Sequence, residues 1–149
     1  MTKDQPADFD ISYEVTRFVV KVRARTLSQL GQIHPDLDYG TFLFFLAICD
    51  APDGIRSAAL AEQFGVHKST ASRTVASLDS MGLIQRSPDP DDGRAQRLVA
   101  KPEAMQVVSQ LRVGGRRWLA SLLSDWSDDE VSLFRAKLAR FNDAADRAQ

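Results

Sequence analysis

The sequence predicts a mainly α-helical protein with one small β-hairpin, and three observations carry that expectation. Apolar residues recur at steps of three and four over long stretches near both ends of the chain. Gly31, Gly65 and Gly82 punctuate helix-like segments. Only "LIQR" (83–86) and "QRLVA" (96–100) read as strands, and they flank a loop rich in aspartate and proline.

Chain-level properties set the frame. With 149 residues, 44% of them hydrophobic, the chain suits one globular domain, or two small lobes sharing a core. A net charge of −1 excludes a protein basic all over, so a nucleic-acid partner would require a local basic stripe. The single cysteine, Cys49, permits no internal disulfide and fits a reducing compartment. No apolar run approaches the roughly 20 residues of a membrane span, and the opening "MTKDQPADFD" is too polar and acidic for a signal peptide. A soluble, cytoplasmic protein is expected.

Taken in order, residues 1–8 read as a disordered tail. From about Phe9, an apolar stripe through Ile11, Val15, Phe18, Val19, Val22, Leu27 and Leu30 marks a long helix ended by Gly31 and Pro35. "DYGTFLFFLAICD" (38–50) is apolar nearly all round and reads as a buried helix, with strand as the competing reading of its aromatic part. "APDGI" is a turn. "RSAALAEQF" (56–64) is a short helix with Ser57 as N-cap, and Gly65 supplies its left-handed end.

The next helix is "HKSTASRTVASLDSM" (67–81), with Ala71, Val75 and Leu78 facing inward in register with Val66. After the hairpin, Pro102 suits the first turn of a helix running to about Leu123, where Gly114-Gly115 is a weak point or a close-packing spot. "SDDE" (127–130) is a capping box, followed by Val131, Phe134, Leu138, Phe141 and Ala145 at heptad-like steps. The expected organisation is a tail and dimerisation helix over 1–36, a compact lobe over 37–101 and dimerisation helices over 102–149. The terminal helices lack an obvious partner within one chain, which signals a homodimer.

A short helix, a glycine turn, a second helix and then a hairpin is the winged helix-turn-helix plan, in which the second helix enters the major groove of DNA. With Ala71, Val75 and Leu78 inward, the outward stripe is Lys68, Ser69, Ser72, Arg73 and Ala76. Arg73 can donate two hydrogen bonds to a guanine edge, and the hydroxyls suit bases or phosphates. Ala76 permits close approach, and Thr70 is placed to reach a phosphate. Ser57 sits at a helix N-terminus whose free N–H groups favour an anion. Each of these residues alone is ordinary surface; in one register before a hairpin they point to DNA. His67 flanks a helix start, and His34 belongs to a helix-end loop.

The intervening "SPDPDDGRAQR" (87–97) holds three aspartates, two prolines, one glycine and two arginines, so it is an exposed loop whose glycine permits a tight turn. Carboxylates near DNA repel it unless neutralised. Asp92 is near enough in sequence to pair with Arg94 or Arg97 and fix the hairpin, whereas Asp89 and Asp91 read as turn formers. A calcium site does not fit, because the ligand spacing is too short and the prolines interrupt it.

Over "STASRTVASLDSMGLIQRSPDPDDGRAQRLVAK" the chain resembles the MarR family of bacterial transcription regulators, and the flanking helices match in order and length. Most specific is the family's wing signature Asp-x-Arg, here Asp92-Gly93-Arg94 within "DPDDGR". The resemblance implies that Arg94 enters a minor groove, that Asp92 supports the wing, and that Arg86 is another common family arginine. "LVAKPEA" replaces the Leu-Thr pair usual after the second wing strand, so the following helix starts without that threonine. The family further implies a homodimeric, ligand-responsive repressor of a pseudo-palindromic operator on double-stranded DNA. The implied ligand is a small aromatic or phenolic acid held between the dimer helices and the lobe. Phe18, Phe42, Phe45 and Trp118 suit such a pocket or plain core, and no ligand residue is assigned.

Two other classes compete with this one. A winged helix used as a protein-interaction module, without operator binding, stays open because the net charge is near neutral. An enzyme lacks support: two histidines and one cysteine form no metal-ligand or catalytic cluster, and "VGGRR" (113–117) is not a phosphate-binding loop. Cys49 lies in "FLAIC" and reads as an inert core thiol. No catalytic residue, metal or cofactor is expected.

Overall fold

The computed structural model describes residues 7–148, so most of the expected tail and the first part of "MTKDQPADFD" lie outside the described residues. Among the described residues, six helices and two strands follow one another as α1 (Ala7–Leu30), α2 (Tyr39–Cys49), α3 (Ser57–Gln63), α4 (Lys68–Ser80), β1 (Ile84–Pro88), β2 (Gln96–Ala100), α5 (Pro102–Leu122) and α6 (Asp128–Arg147). This is the order expected from sequence, with α1 beginning at Ala7 rather than near Phe9. The chain forms two compact units, one through Ser109 and one from Gln110.

In the first unit α2 is helical throughout, which resolves the ambiguity of its aromatic run. Asp38 starts it: Oδ1 accepts the Thr41 backbone N–H at 3.0 Å, and Oδ2 accepts the Thr41 hydroxyl at 2.6 Å. These bonds, the hydroxyl first, hold the Asp38 carboxyl below its ordinary value. Phe42, Phe44, Phe45 and Ile48 are buried around the helix, and Phe44 stacks on Phe64 with centroids 4.3 Å apart. A helix apolar on all sides belongs at the centre of a core.

Around it gather Leu60 and Ala61 of α3, Ala71, Val75 and Leu78 of α4, Ile84 and Leu98 of the hairpin, and Ala104 and Val108 of α5. α3 and α4 both end in the same motif. The N–H of Gly65 reaches Glu62 O while that of Val66 reaches Ala61 O, and Gly82 and Leu83 repeat the pattern on Asp79 and Leu78. Both glycines have positive φ, as this closure requires.

The hairpin is antiparallel with Ile84 opposite Ala100 and Pro88 opposite Gln96, so β1 extends past Arg86 into the acidic segment. Before α3, Ile55 bridges to Leu98, each backbone N–H bonded to the other's carbonyl. Two local expectations are corrected here. Ser57 is not the N-cap of α3: the helix begins at Ser57 and Arg56 caps it, in extended conformation and without a side-chain cap bond. Gly93 is not what allows the loop to turn, since its φ is not positive and a Cβ there would meet nothing within 4 Å.

In the second unit, α5 runs unbroken through Gly114-Gly115, where an added Cβ would meet nothing within 4 Å. The expected capping box opens α6: Ser127 Oγ accepts the Glu130 N–H at 3.3 Å, and Glu130 Oε2 accepts the Ser127 N–H at 2.8 Å. Trp126 packs edge-on against Phe134, centroids 5.4 Å apart. No residue of α6 is buried, and Phe134, Leu138 and Phe141 stay exposed. Most of the α1 stripe behaves alike, with Ile11, Val15, Phe18 and Val19 exposed, but Leu30 at its end is buried in the core.

Candidate nucleic-acid interface

Burial of Ala71, Val75 and Leu78 fixes the rotation of α4, and the opposite face carries what the spacing placed there. Lys68, Ser69, Ser72, Arg73 and Ala76 are exposed, while Thr70 is half-buried. Arg73 Nε lies 3.4 Å from the Ser69 carbonyl, a long bond within its own helix. Among the described residues no carboxylate pairs with Lys68 or Arg73. The one acid of α4, Asp79, sits in its last turn, where its Oδ2 accepts from Arg86 Nε at 3.2 Å. The exposed face of α4 is therefore cationic near its N-terminus, and among the described residues its cations have no acidic partner.

At the base of the wing, Asp89 is buried. Its Oδ2 accepts from Arg56 Nε at 2.6 Å and Arg97 Nε at 3.1 Å, while Oδ1 accepts the Asp91 N–H at 2.9 Å. Those bonds, that from Arg56 first, keep its carboxyl far below the usual carboxylate range. Arg97 also donates from Nη2 to Asp91 Oδ2 at 3.1 Å and from Nη1 to the Asp53 carbonyl at 3.3 Å. Two of the three wing carboxylates are thus neutralised within the chain.

At the tip, Asp92 Oδ1 accepts the Arg94 backbone N–H at 3.1 Å, and the Asp92 carbonyl accepts that of Ala95 at 2.8 Å. The expected pairing of Asp92 with the Arg94 or Arg97 guanidinium is not what holds the hairpin. Asp92 shapes the turn, and Asp89 binds the arginines. The cause is the end of β1, where Asp89 follows the strand inward between Arg56 and Arg97 while Asp92 lies at the exposed tip. Arg94 is exposed, with no ion-pair partner among the described residues.

The sequence and this fold have counterparts among known proteins. The MarR family profile matches residues 36–95. The uncharacterized HTH-type transcriptional regulator YxaD of Bacillus subtilis (strain 168) is 30% identical over 144 residues, covering 97% of this chain and 98% of that protein. The chain belongs to the MarR family of transcription regulators. This MarR-family protein is also similar to the crystal structure of MarR, 27% identical, with a TM-score of 0.70 over 92% of this chain and 98% of that one. Streptococcus pneumoniae FabT, solved in complex with DNA, shares the fold at 13% identity, TM-score 0.77, over 94% and 98% of the two chains.

Other sequence-predicted positions fall as follows in this MarR-family chain. Ser57 is half-buried at the first position of α3. Phe42 and Phe45 are core residues, and Cys49 is half-buried against the same core. His34 lies in the loop after α1, its Nδ1 accepting the Asp36 N–H at 3.2 Å. No helix of the described residues is long and apolar enough to cross a membrane. Sequence reasoning missed Arg56. Nothing local marked it, because Ser57 beside it is the better N-cap by residue type. Its target lies 33 residues away, which no local spacing reveals.

Proposed function

We propose that this MarR-family protein is a repressor that binds double-stranded DNA as a homodimer on a pseudo-palindromic operator and is released by a small ligand. One observation carries the reading. The α4 face presents Lys68 and Arg73 without acidic partners, beside a wing whose buried carboxylate is matched by arginines and whose tip arginine is free to reach out. On DNA, Lys68, Ser69, Thr70, Ser72 and Arg73 meet the major groove, with Arg73 on a guanine edge. Arg94 enters the adjoining minor groove, whose negative potential attracts arginine. Asp92 keeps the tip in shape, and Ser57, near the start of α3, faces a phosphate.

The exposed stripes of α1 and α6 supply the two-fold contact, so residues 1–36 and 102–149 serve dimerisation and 37–101 serve DNA. Two-fold symmetry sets half-sites about one helical turn apart. The ligand, of the aromatic or phenolic acid class, acts by changing the separation of the two α4 helices. The protein acts in the cytoplasm by binding, without catalysis. FabT, whose structure contains DNA, is a fold relative consistent with this.

Selection of duplexes from a random-sequence pool, followed by gel shifts at two salt concentrations, tests the reading. A DNA regulator enriches a pseudo-palindrome and loses affinity steeply with salt. A protein-interaction module enriches nothing. Arg73→Ala then relaxes preference at one base pair, at a cost of about 1–3 kcal/mol; unchanged selectivity would remove Arg73 from the base-reading set.

A further inference from the structure

Arg56 occupies an unusual place. It is the N-cap of α3, a position where Ser, Thr, Asp or Asn would satisfy a free helix N–H, and its side chain makes no such bond. Instead its Nε donates to Asp89 Oδ2 at 2.6 Å, across 33 residues of chain, onto a carboxylate whose side chain is fully buried. Asp89 in turn organises the loop that follows: Oδ1 holds the Asp91 N–H, and its own N–H reaches the Ala95 carbonyl. The next residues, Asp92 to Ala95, form the turn on which Arg94 stands. Arg97 approaches the same Oδ2 from within the hairpin and also reaches the Asp53 carbonyl, so it joins β2 to the end of β1 and to the loop before α3. Arg56 ties the wing to the helix-turn-helix.

From this geometry we propose that Arg56 is a positioning residue for DNA recognition, a strap that fixes the wing, and with it Arg94, relative to α3 and α4. The proposal rests on the reading of Arg94 as a minor-groove contact and adds a residue that the wing signature does not contain. Loss of the strap leaves Asp89 with Arg97 and the Asp91 N–H, and β2 stays joined to the lobe through the Ile55–Leu98 bridge, so the hairpin persists while the end of β1 and the tip beyond it loosen. Charge-assisted bonds to a buried carboxylate are strong and directional, which suits them to this task. The rival account is simpler. The Arg56 side chain is 45% exposed, and a guanidinium there could touch a phosphate directly.

Arg56→Thr separates the possibilities, because threonine restores an N-cap while removing the strap. In the free full-length protein, amide exchange at Asp91, Arg94 and Ala95 should accelerate by about tenfold, with α2 and α4 unchanged. Unchanged wing exchange would overturn the strap without any reference to DNA. On a duplex selected by the wild-type protein, Arg56→Thr and Arg94→Ala should each weaken binding by about tenfold, and the double variant scarcely further, since the strap acts through Arg94. Additive losses would overturn positioning and make Arg56 a separate phosphate contact. If the wild-type protein selects no duplex, the DNA reading fails and the role assigned to Arg56 on DNA falls with it, a result told apart from a failed strap by the exchange data.

Discussion

Apolar residues at helical spacing meet opposite fates in two regions of this molecule. Around α2 they vanish from solvent: Phe45, Leu60 and Leu78 are each 0% exposed. Along α6, and along α1 as far as Leu27, they do not, and Val19, Leu133 and Phe141 keep more than half of their surface, at 55%, 59% and 53%. Periodicity therefore says which face of a helix is apolar, and it is silent on whether the cover comes from the same chain. The first set completes a core by itself. The second is an exposed apolar surface of the kind that marks an interaction site.

The contrast can be broken most forcefully at the core. Phe45→Ala should cost about 3–5 kcal/mol in urea unfolding, because a fully enclosed aromatic leaves a cavity its neighbours cannot fill. A loss below about 1 kcal/mol would mean that α2 is not the centre. Next in size, Phe141→Ala should raise the dimer dissociation constant by about tenfold in sedimentation experiments while the isolated fold survives. Unfolded monomers instead would erase the distinction between the two regions.

Ser127→Ala sharpens the comparison further. Removing the capping box should cost α6 about 1 kcal/mol, seen as a lower melting temperature at fixed concentration. If the variant melts like wild type, the helix is held by its partner rather than by its own ends. Smallest near neutrality is the acid response of Asp89. Its folded carboxyl lies far below the unfolded value of about 3.9, so its contribution is complete above that value and is lost as pH falls further through the folded one. Wing amide protection, corrected for intrinsic exchange, should stay flat from about pH 7 to 5 and decline only below about 4. A decline beginning near pH 6 would implicate another group.

Much of this architecture was readable before any coordinates. The inward set of α4, the glycine closures of α3 and α4 and the capping box of α6 are local patterns, each decided within a few residues. The cationic face of α4 follows from the same rotation. The wing was harder. Three aspartates lie within four positions of one another and at similar distances from Arg94 and Arg97, so spacing alone does not say which one pairs. The end of β1 decides it by carrying Asp89 inward. Arg56 was hidden for a different reason: its partner is brought near by the fold, through the Ile55–Leu98 bridge, and not by the chain.

The wing tip also has something to say about how such a protein can change over generations. Gly93 stands beside Arg94 with open space around it and a backbone conformation that any residue accepts. A side chain added there meets no neighbour within 4 Å, so a charged residue at this position would change the charge beside Arg94, the residue we propose for the minor groove, without disturbing the packing. On that proposal, selection has a dial, separate from the core and from α4, by which operator occupancy drifts up or down one substitution at a time.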